Sequence, residues 1–386
     1  MSSKTPCDNV RDFLFSRGAV GGGAGRLPDC VQLDDLTTAG TFPYYTNEYD
    51  WGGSNPNSPA YRTRLHARDT VNPTGVPGLQ VEGYFSDENS KTTRAPSNFY
   101  GNKKYRCDSQ FVIRFPDQWN GRLVITGAPG VRGQYANDFL ISDFVLGKGY
   151  AFASTDKGNS GLQFYRDDET PGAAIQEWNH RIKQLTETAR VAAETYYGEE
   201  PERTYITGTS TGVYLTRYAL EKHPELYDGG VDWQGALWTD HDEPTSDRDK
   251  GPNLLTFLPW TLRYYPQYRD AKSQAAHDVM IFAGFEPGSE FLWQYHYETY
   301  WNSTQRIYRE EFDPYWPGSD AEYDYAGRLD PGKNPFAQVI KNAVKQVSLR
   351  GDIQRPLLTL HGTLNALLPI TKTSNKYAEL VKKAGR

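Results

Sequence analysis

Thr204-Tyr205-Ile206-Thr207-Gly208-Thr209-Ser210-Thr211-Gly212-Val213-Tyr214-Leu215 is the stretch whose reading decides the fold. Thr204 to Thr207 reads as a short strand, and Val213 to Lys222 reads as a helix that ends near His223-Pro224. Between them stands Gly-x-Ser-x-Gly, which arises by chance when taken alone. Its context gives it meaning. A strand, a turn too tight for side chains at its flanks and then a helix lift a serine hydroxyl above the sheet. The same geometry aims a helix N-terminus at that hydroxyl, where backbone N–H groups stabilise an oxyanion. The bland alternative is an ordinary glycine-rich strand-helix connection.

Working outward, Gly78 to Phe85 alternates as a half-buried strand does, and Cys107 to Phe115 supplies a second strand, ended by Pro116-Asp117. Arg122 to Thr126 is a short apolar run stopped by Gly127-Ala128-Pro129-Gly130, which suits a strand buried on both faces. A helix is expected over Ala136 to Leu146 and a strand over Tyr150 to Ser154. From Ala173 to Tyr197, the residues Ile175, Trp178, Ile182, Leu185, Ala189, Ala192 and Tyr196 share one face of a long helix. Tyr227 to Trp233 reads as the next strand. A helix over Pro335 to Val347, a strand at Pro356 to Leu360 and a helix over Thr371 to Lys383 follow later. Strands alternating with helices predict a mostly parallel sheet flanked by helices. Together with the serine turn they predict the α/β-hydrolase fold, within the α/β class.

Four segments are expected. Residues 1–75 are rich in Gly, Pro, Asn and Tyr and read as irregular. Gly21 to Gly25 there lacks the Gly-Lys-Ser/Thr of a phosphate loop. Residues 76–238 form the first part of the core, and 239–333 an inserted lid dense in Trp, Tyr, Pro, Asp and Glu. Residues 334–386 return to the core and stop before the last strand and its histidine, as in a fragment, a processed form or a pseudoenzyme.

A net charge of −6, without a dense Lys/Arg stripe, speaks against a nucleic-acid partner. The absence of an 18-residue apolar run speaks against a membrane span. With no basic start followed by an apolar stretch, a cytoplasmic location is expected. Cys7, Cys30 and Cys107 leave a Cys7–Cys30 bridge open, but a reduced protein is the simpler reading. The 27 tyrosines and 9 tryptophans suit half-wet pockets as well as cores. In the lid they build either an aromatic or extended acyl pocket or the lid's own core. Asp240, His241, Asp242 and Glu243 cluster, but their spacing matches no metal motif, and no metal or other cofactor is expected.

Thr204 to Ser210, Asp228 to Trp233, Leu360-His361-Gly362-Thr363-Leu364, Thr126 to Gly130 and Ser154 to Asn159 together resemble the tannase and 3-hydroxybutyrate-oligomer-hydrolase-like branch of the α/β hydrolases. The resemblance spans roughly residues 78–240 and 335–385. It implies a serine esterase acting on a small-molecule ester, aromatic or oligomeric. The chain departs from the branch in carrying Thr211-Gly212-Val213 after the serine, where Asn-Gly-Gly is frequent.

Ser210 is the expected nucleophile. The Thr211 amide is the first oxyanion donor, and Gly127 and Ala128 lie in the loop expected to supply the second, with the Ala128 amide favoured because Pro129 has no N–H. The triad order Ser, Asp/Glu, His places the acid where this chain has Asn365. An amide there carries no charge to stabilise imidazolium, an exchange that lowers kcat about 10⁴-fold in serine proteases. Asp232, at the end of the sixth core strand, is an alternative acid, or else a capping or lid-anchoring carboxylate. Of seven histidines, His66, His180, His223, His277, His296 and His361 are poorly placed, and His241 is the nearest stand-in base. The competing expectation is a non-catalytic homologue that binds a ligand or partner without turnover.

Overall fold

The computed structural model describes residues 4–21, 26–41, 71–87, 107–158, 161–162, 165, 169–239 and 253–386. The chain divides into two compact units. One comprises residues 1–161, 177–219 and 223–230, the other 162–176, 220–222 and 231–386.

The first unit is built on a sheet. Helix α1 (Pro6–Ser16) precedes the short strands β1 (Ala19–Val20) and β2 (Asp29–Leu33), which both pair antiparallel to β3 (Gly78–Phe85). Next to β3 runs β4 (Gln110–Pro116), also antiparallel. From there the order runs through β6 (Ala151–Thr155) and β5 (Arg122–Gly127) to β7 (Arg203–Ser210). β5 is parallel to both β6 and β7. β7 is followed by β8 (Gly229–Gly235), whose first two residues close this unit. The sheet is thus mixed at its N-terminal side and parallel where β5, β6 and β7 meet. Helix α2 (Ala173–Tyr197) buries Trp178, Ile182, Leu185, Ala189 and Ala192 completely, so the predicted apolar stripe is the packed face. Tyr196 is half-buried and stacks on Phe115. Helix α3 (Thr211–Lys222) starts directly after β7.

Two expectations need correction here. The described part of residues 1–75 is ordered around β3, although strands of two and five residues are too short to show a period. The cysteines are not all reduced either. Helix α1 and strand β2 bring the Cα atoms of Cys7 and Cys30 to 6.0 Å, where they form a disulfide, and Cys107 is free. Bridges of this kind persist in oxidising compartments, so the reduced state expected from the cysteine count is not the one the structure shows. Among the described residues, no helix is long and apolar enough to cross a membrane.

The second unit contains helices α4 (Asn253–Ala271), α5 (Gln274–Phe282), α6 (Glu290–His296) and α7 (Asn302–Phe312) in the region read as lid. Helix α8 (Ala337–Val347), strand β9 (Leu357–Leu360) and helix α9 (Ser374–Lys383) follow. Pro259 and Pro266 lie inside α4, which hid its helical character from the sequence. Tyr265, Phe285, Trp293 and Trp301 are buried against one another, so these aromatics form a core of their own. Trp260, Phe291, Tyr295 and Tyr315 remain exposed. Trp301 Nε1 donates to the Ala366 carbonyl at 2.7 Å, joining the region read as lid to residues 334–386 within this unit.

In this unit Glu311 holds the first turn of α2, accepting the N–H groups of Ala174 and Ile175 at 3.1 and 3.3 Å. Complete burial pushes its pKa up to about 8, against those two bonds. A carboxyl with a raised folded pKa binds more protons folded than unfolded, so stability falls as pH rises from its unfolded value toward 8.

Two outcomes follow from these contacts. Alkylation of the denatured, unreduced protein should add one label, at Cys107, by intact mass; three labels would mean no bridge. Thermal unfolding of Glu311→Gln should lose less stability between pH 5 and 8 than wild type does, and equal slopes would remove Glu311 as the cause.

Candidate active site

Ser210 ends β7 and Thr211 opens α3, so the serine is the hinge of a strand-to-helix turn. Its backbone sits at φ 56° and ψ −116°, a combination residues with a Cβ rarely adopt. The surroundings make room for it. A Cβ on Gly208 would lie 2.6 Å from the Gly212 carbonyl carbon, and one on Gly212 would lie 2.6 Å from the Gly127 carbonyl oxygen. A Cβ on Gly127 would lie 2.4 Å from Leu215 Cδ1. Three glycines therefore let the end of β5, the serine turn and the first turn of α3 close on one another. Ser210 itself is half-buried.

Thr211 is buried, and its hydroxyl accepts the Gly130 N–H at 2.7 Å. This bond ties the loop after β5 to the start of α3. The Thr211 N–H belongs to the first helical turn, whose donors have no intrahelical acceptor and where the helix dipole favours negative charge. Gly127 contributes by close approach, and its carbonyl accepts Asn137 Nδ2 at 3.1 Å. Ala128 is different from expectation. Its N–H donates to the Thr155 carbonyl at 2.9 Å, continuing the β5–β6 ladder by one rung past Gly127 opposite Thr155. That donor is occupied by the sheet, because the register carries the pairing one residue beyond the strand that the sequence delimits.

One further residue, Lys157, stands behind this loop. Lys157 is fully buried, and its Nζ donates to the carbonyls of Ala128 and, at 3.1 Å, Gly130. The ammonium lies 4.9 Å from the Trp178 ring centroid. Burial pushes the Lys157 pKa down to about 7, opposed by Asp156. Burial also pushes the Asp156 carboxyl well above the usual range, and the nearby Asp108 and Glu177 add to the rise. The only hint in the sequence was a lysine inside a polar Asp-Lys-Gly turn after a buried strand.

The remaining predicted positions belong to the second unit or lie outside the described residues. Asn365 Oδ1 accepts the N–H groups of Leu367 and Leu368 at 2.9 and 2.8 Å, and its Nδ2 donates to Gln234 Oε1 at 2.8 Å. Asp232 is buried and accepts the Thr359 hydroxyl at 3.3 Å. His361 bonds the Ser374 hydroxyl through Nδ1 and the Leu368 carbonyl through Nε2, both at 2.7 Å. His277 bonds Glu290, and burial pushes His296 down to about 4. His241, with Asp240, Asp242 and Glu243, lies outside the described residues, as does His66. Among the described residues, no group of three or more His, Cys, Asp or Glu side chains is placed to hold a metal ion. The structure thus brings together Ser210, Thr211, Gly127 and Ala128, and adds Gly130 and Lys157 to them.

The sheet order, the crossover between β5 and β6 and the serine turn define the α/β-hydrolase fold. An esterase from Aspergillus oryzae shares the fold, with a TM-score of 0.55 at 13% identity over 99% of this chain and 79% of that one. Residues 95–234 match the family described as tannase and feruloyl esterase. The mono(2-hydroxyethyl) terephthalate hydrolase of Piscinibacter sakaiensis is 24% identical over 140 residues, 33% of this chain and 23% of that protein. A probable feruloyl esterase B-2 of Aspergillus fumigatus is 23% identical over 155 residues, 39% of this chain and 26% of that protein. The matched stretches span about a quarter of each of these curated relatives. The chain has the α/β-hydrolase fold, and over residues 95–234 its sequence is similar to tannase and feruloyl esterase.

Substitutions in the turn separate its two constraints. Gly212→Ala should lower unfolding stability by about 1–3 kcal/mol, since backbone must move to admit the Cβ. Ser210→Gly should raise the melting temperature above that of Ser210→Ala, because glycine alone adopts this φ without strain. Equal melting temperatures for the two Ser210 variants would show that the turn stores no strain.

Proposed function

We propose that this protein hydrolyses carboxylic esters through an acyl-enzyme on Ser210. The observation that carries the reading is the strained turn at φ 56° between β7 and α3, with glycines on both flanks. A serine hydroxyl so presented attacks an ester carbonyl, and the charge that develops falls at the N-terminus of α3 beside the Thr211 amide. The similarity to tannase and feruloyl esterase sequences over residues 95–234 supports an ester with an aromatic acyl group.

The proton-transfer partners are assigned by position. Asn365 occupies the acid position, Asp232 is the alternative acid, and His241 is the candidate base. Two observations favour the second reading, a homologue that binds an ester without turnover. Asn365 is an amide whose oxygen and nitrogen are both engaged in its own loop and with Gln234, and both His361 nitrogens are bonded.

The test is hydrolysis of methyl ferulate and a p-nitrophenyl ester, with fluorophosphonate labelling followed by intact mass. Wild type should release alcohol and take up one probe, and Ser210→Ala should do neither, with a loss of at least about 10³-fold in kcat. Turnover that survives Ser210→Ala sinks the nucleophile reading. Saturable ester binding without turnover or labelling supports the second reading.

A further inference from the structure

The loop after β5 is pinned from both sides of its backbone. On the donor side, Ala128 N–H is bonded to the Thr155 carbonyl, Gly130 N–H to the Thr211 hydroxyl and Arg132 N–H to the Pro129 carbonyl. On the acceptor side, the carbonyls of Ala128 and Gly130 converge on Lys157 Nζ. Lys157 itself sits at φ 69°, in the left-handed region that favours glycine. Its N–H is held by the Thr155 hydroxyl at 3.0 Å, and the next residue's N–H by Asp156 Oδ1 at 2.8 Å. Its stem packs against the chain at Gly127, where a Cβ would meet its Cγ and Cδ at 3.4 Å. A long cationic side chain has thus been folded back, buried and spent on two backbone carbonyls beside the serine turn. A residue needed only to fill that space has no use for an ammonium group.

The geometry points to Lys157 as a positioning residue for ester hydrolysis at Ser210: by holding the Ala128 and Gly130 carbonyls, it sets which face of the loop offers a backbone N–H to the oxyanion. This inference rests on Ser210 being the nucleophile. In a trans peptide unit the C=O and N–H point in opposite directions. A Gly130 carbonyl held on Lys157 therefore carries the Val131 N–H to the other side. Among residues 128–132 that N–H is the one donor that none of the bonds above uses. Released from Lys157, the Gly130–Val131 peptide unit is free to rotate and present its carbonyl, which repels an oxyanion. Lys157 acts through this loop and not by touching the reacting atoms.

The test compares Lys157→Met and Lys157→Arg on an ester whose turnover depends on Ser210, with amide hydrogen exchange followed over residues 127–133. Deleting an oxyanion donor outright lowers kcat about 10²–10³-fold, so misplacing one through its loop should lower kcat about 10–100-fold in Lys157→Met. KM should stay within about twofold, which marks a loss confined to the transition state. Exchange should rise over 127–133, and Lys157→Arg, which keeps the charged donors, should recover part of kcat. If Lys157→Met fails to fold, Lys157→Gln, with its single amide donor head, should show the same pattern with a smaller fall. An unchanged kcat in a folded variant overturns the inference, as does a rise in KM that accounts for the whole loss. Unchanged exchange shows that Lys157 does not hold the loop, whatever Ser210 does. Ester turnover that persists in Ser210→Ala is the separate failure, that of the nucleophile reading.

Discussion

The interlock of Gly127, Gly208 and Gly212 around Ser210 is the constraint on which the site depends. A serine at φ 56° is unfavourable in an isolated chain. It persists because the ends of β5 and β7 and the first turn of α3 approach within distances that exclude a Cβ at each of the three glycines. Close approach and strain are two aspects of one arrangement. The same contact that bends the serine out of the strand places the Gly127 carbonyl against Gly212 and the Gly130 N–H on the Thr211 hydroxyl. Local strain of this kind survives only where the surrounding structure over-determines it.

Around that interlock the polar groups are arranged in series. The β5–β6 ladder runs on through Ala128 to Thr155, the chain turns at Asp156, and Lys157 folds back onto the carbonyls of the loop it has just paired with. Asp156, Asp108 and Glu177 lie behind the turn. Burial drives the Asp156 carboxyl and the Lys157 ammonium toward their neutral forms, each in its own direction. Buried polar groups are tolerated when they are bonded, and every bond named here goes to backbone or to an adjacent side chain. The loop's outer face is thereby decided by what holds its inner face.

Much of this was legible in the chain. The strand, the Gly-Thr-Ser-Thr-Gly turn and the helix after it stand where the residues place them, and the apolar stripe from Trp178 to Ala192 is the buried face of α2. Other features left no trace that periodicity could detect. β1 and β2 are too short to show alternation, and their order comes from β3 and from the bridge between Cys7 and Cys30. Helix α4 carries two prolines and a dense set of aromatics, so its period was masked even though Tyr265 and Phe257 are core residues. Asn365 is where the triad order leads one to expect an acid, but its bonds are those of a loop cap.

The sequence by itself determined the α/β class, the strand-turn-helix around Ser210 and the helical face that covers the sheet. All three follow from local signals: apolar spacing, the small size of glycine and the start of a helix. Only the tertiary structure decided which backbone N–H groups are already occupied. Ala128 read as an open donor because a sequence carries no record of register, and one rung of the β5–β6 ladder closes that donor. Lys157 read as one polar residue in a turn, because its partners lie 27 and 29 residues earlier in the chain. A hydrogen bond between residues distant in sequence depends on where two strands lie in space, and no residue pattern specifies that distance.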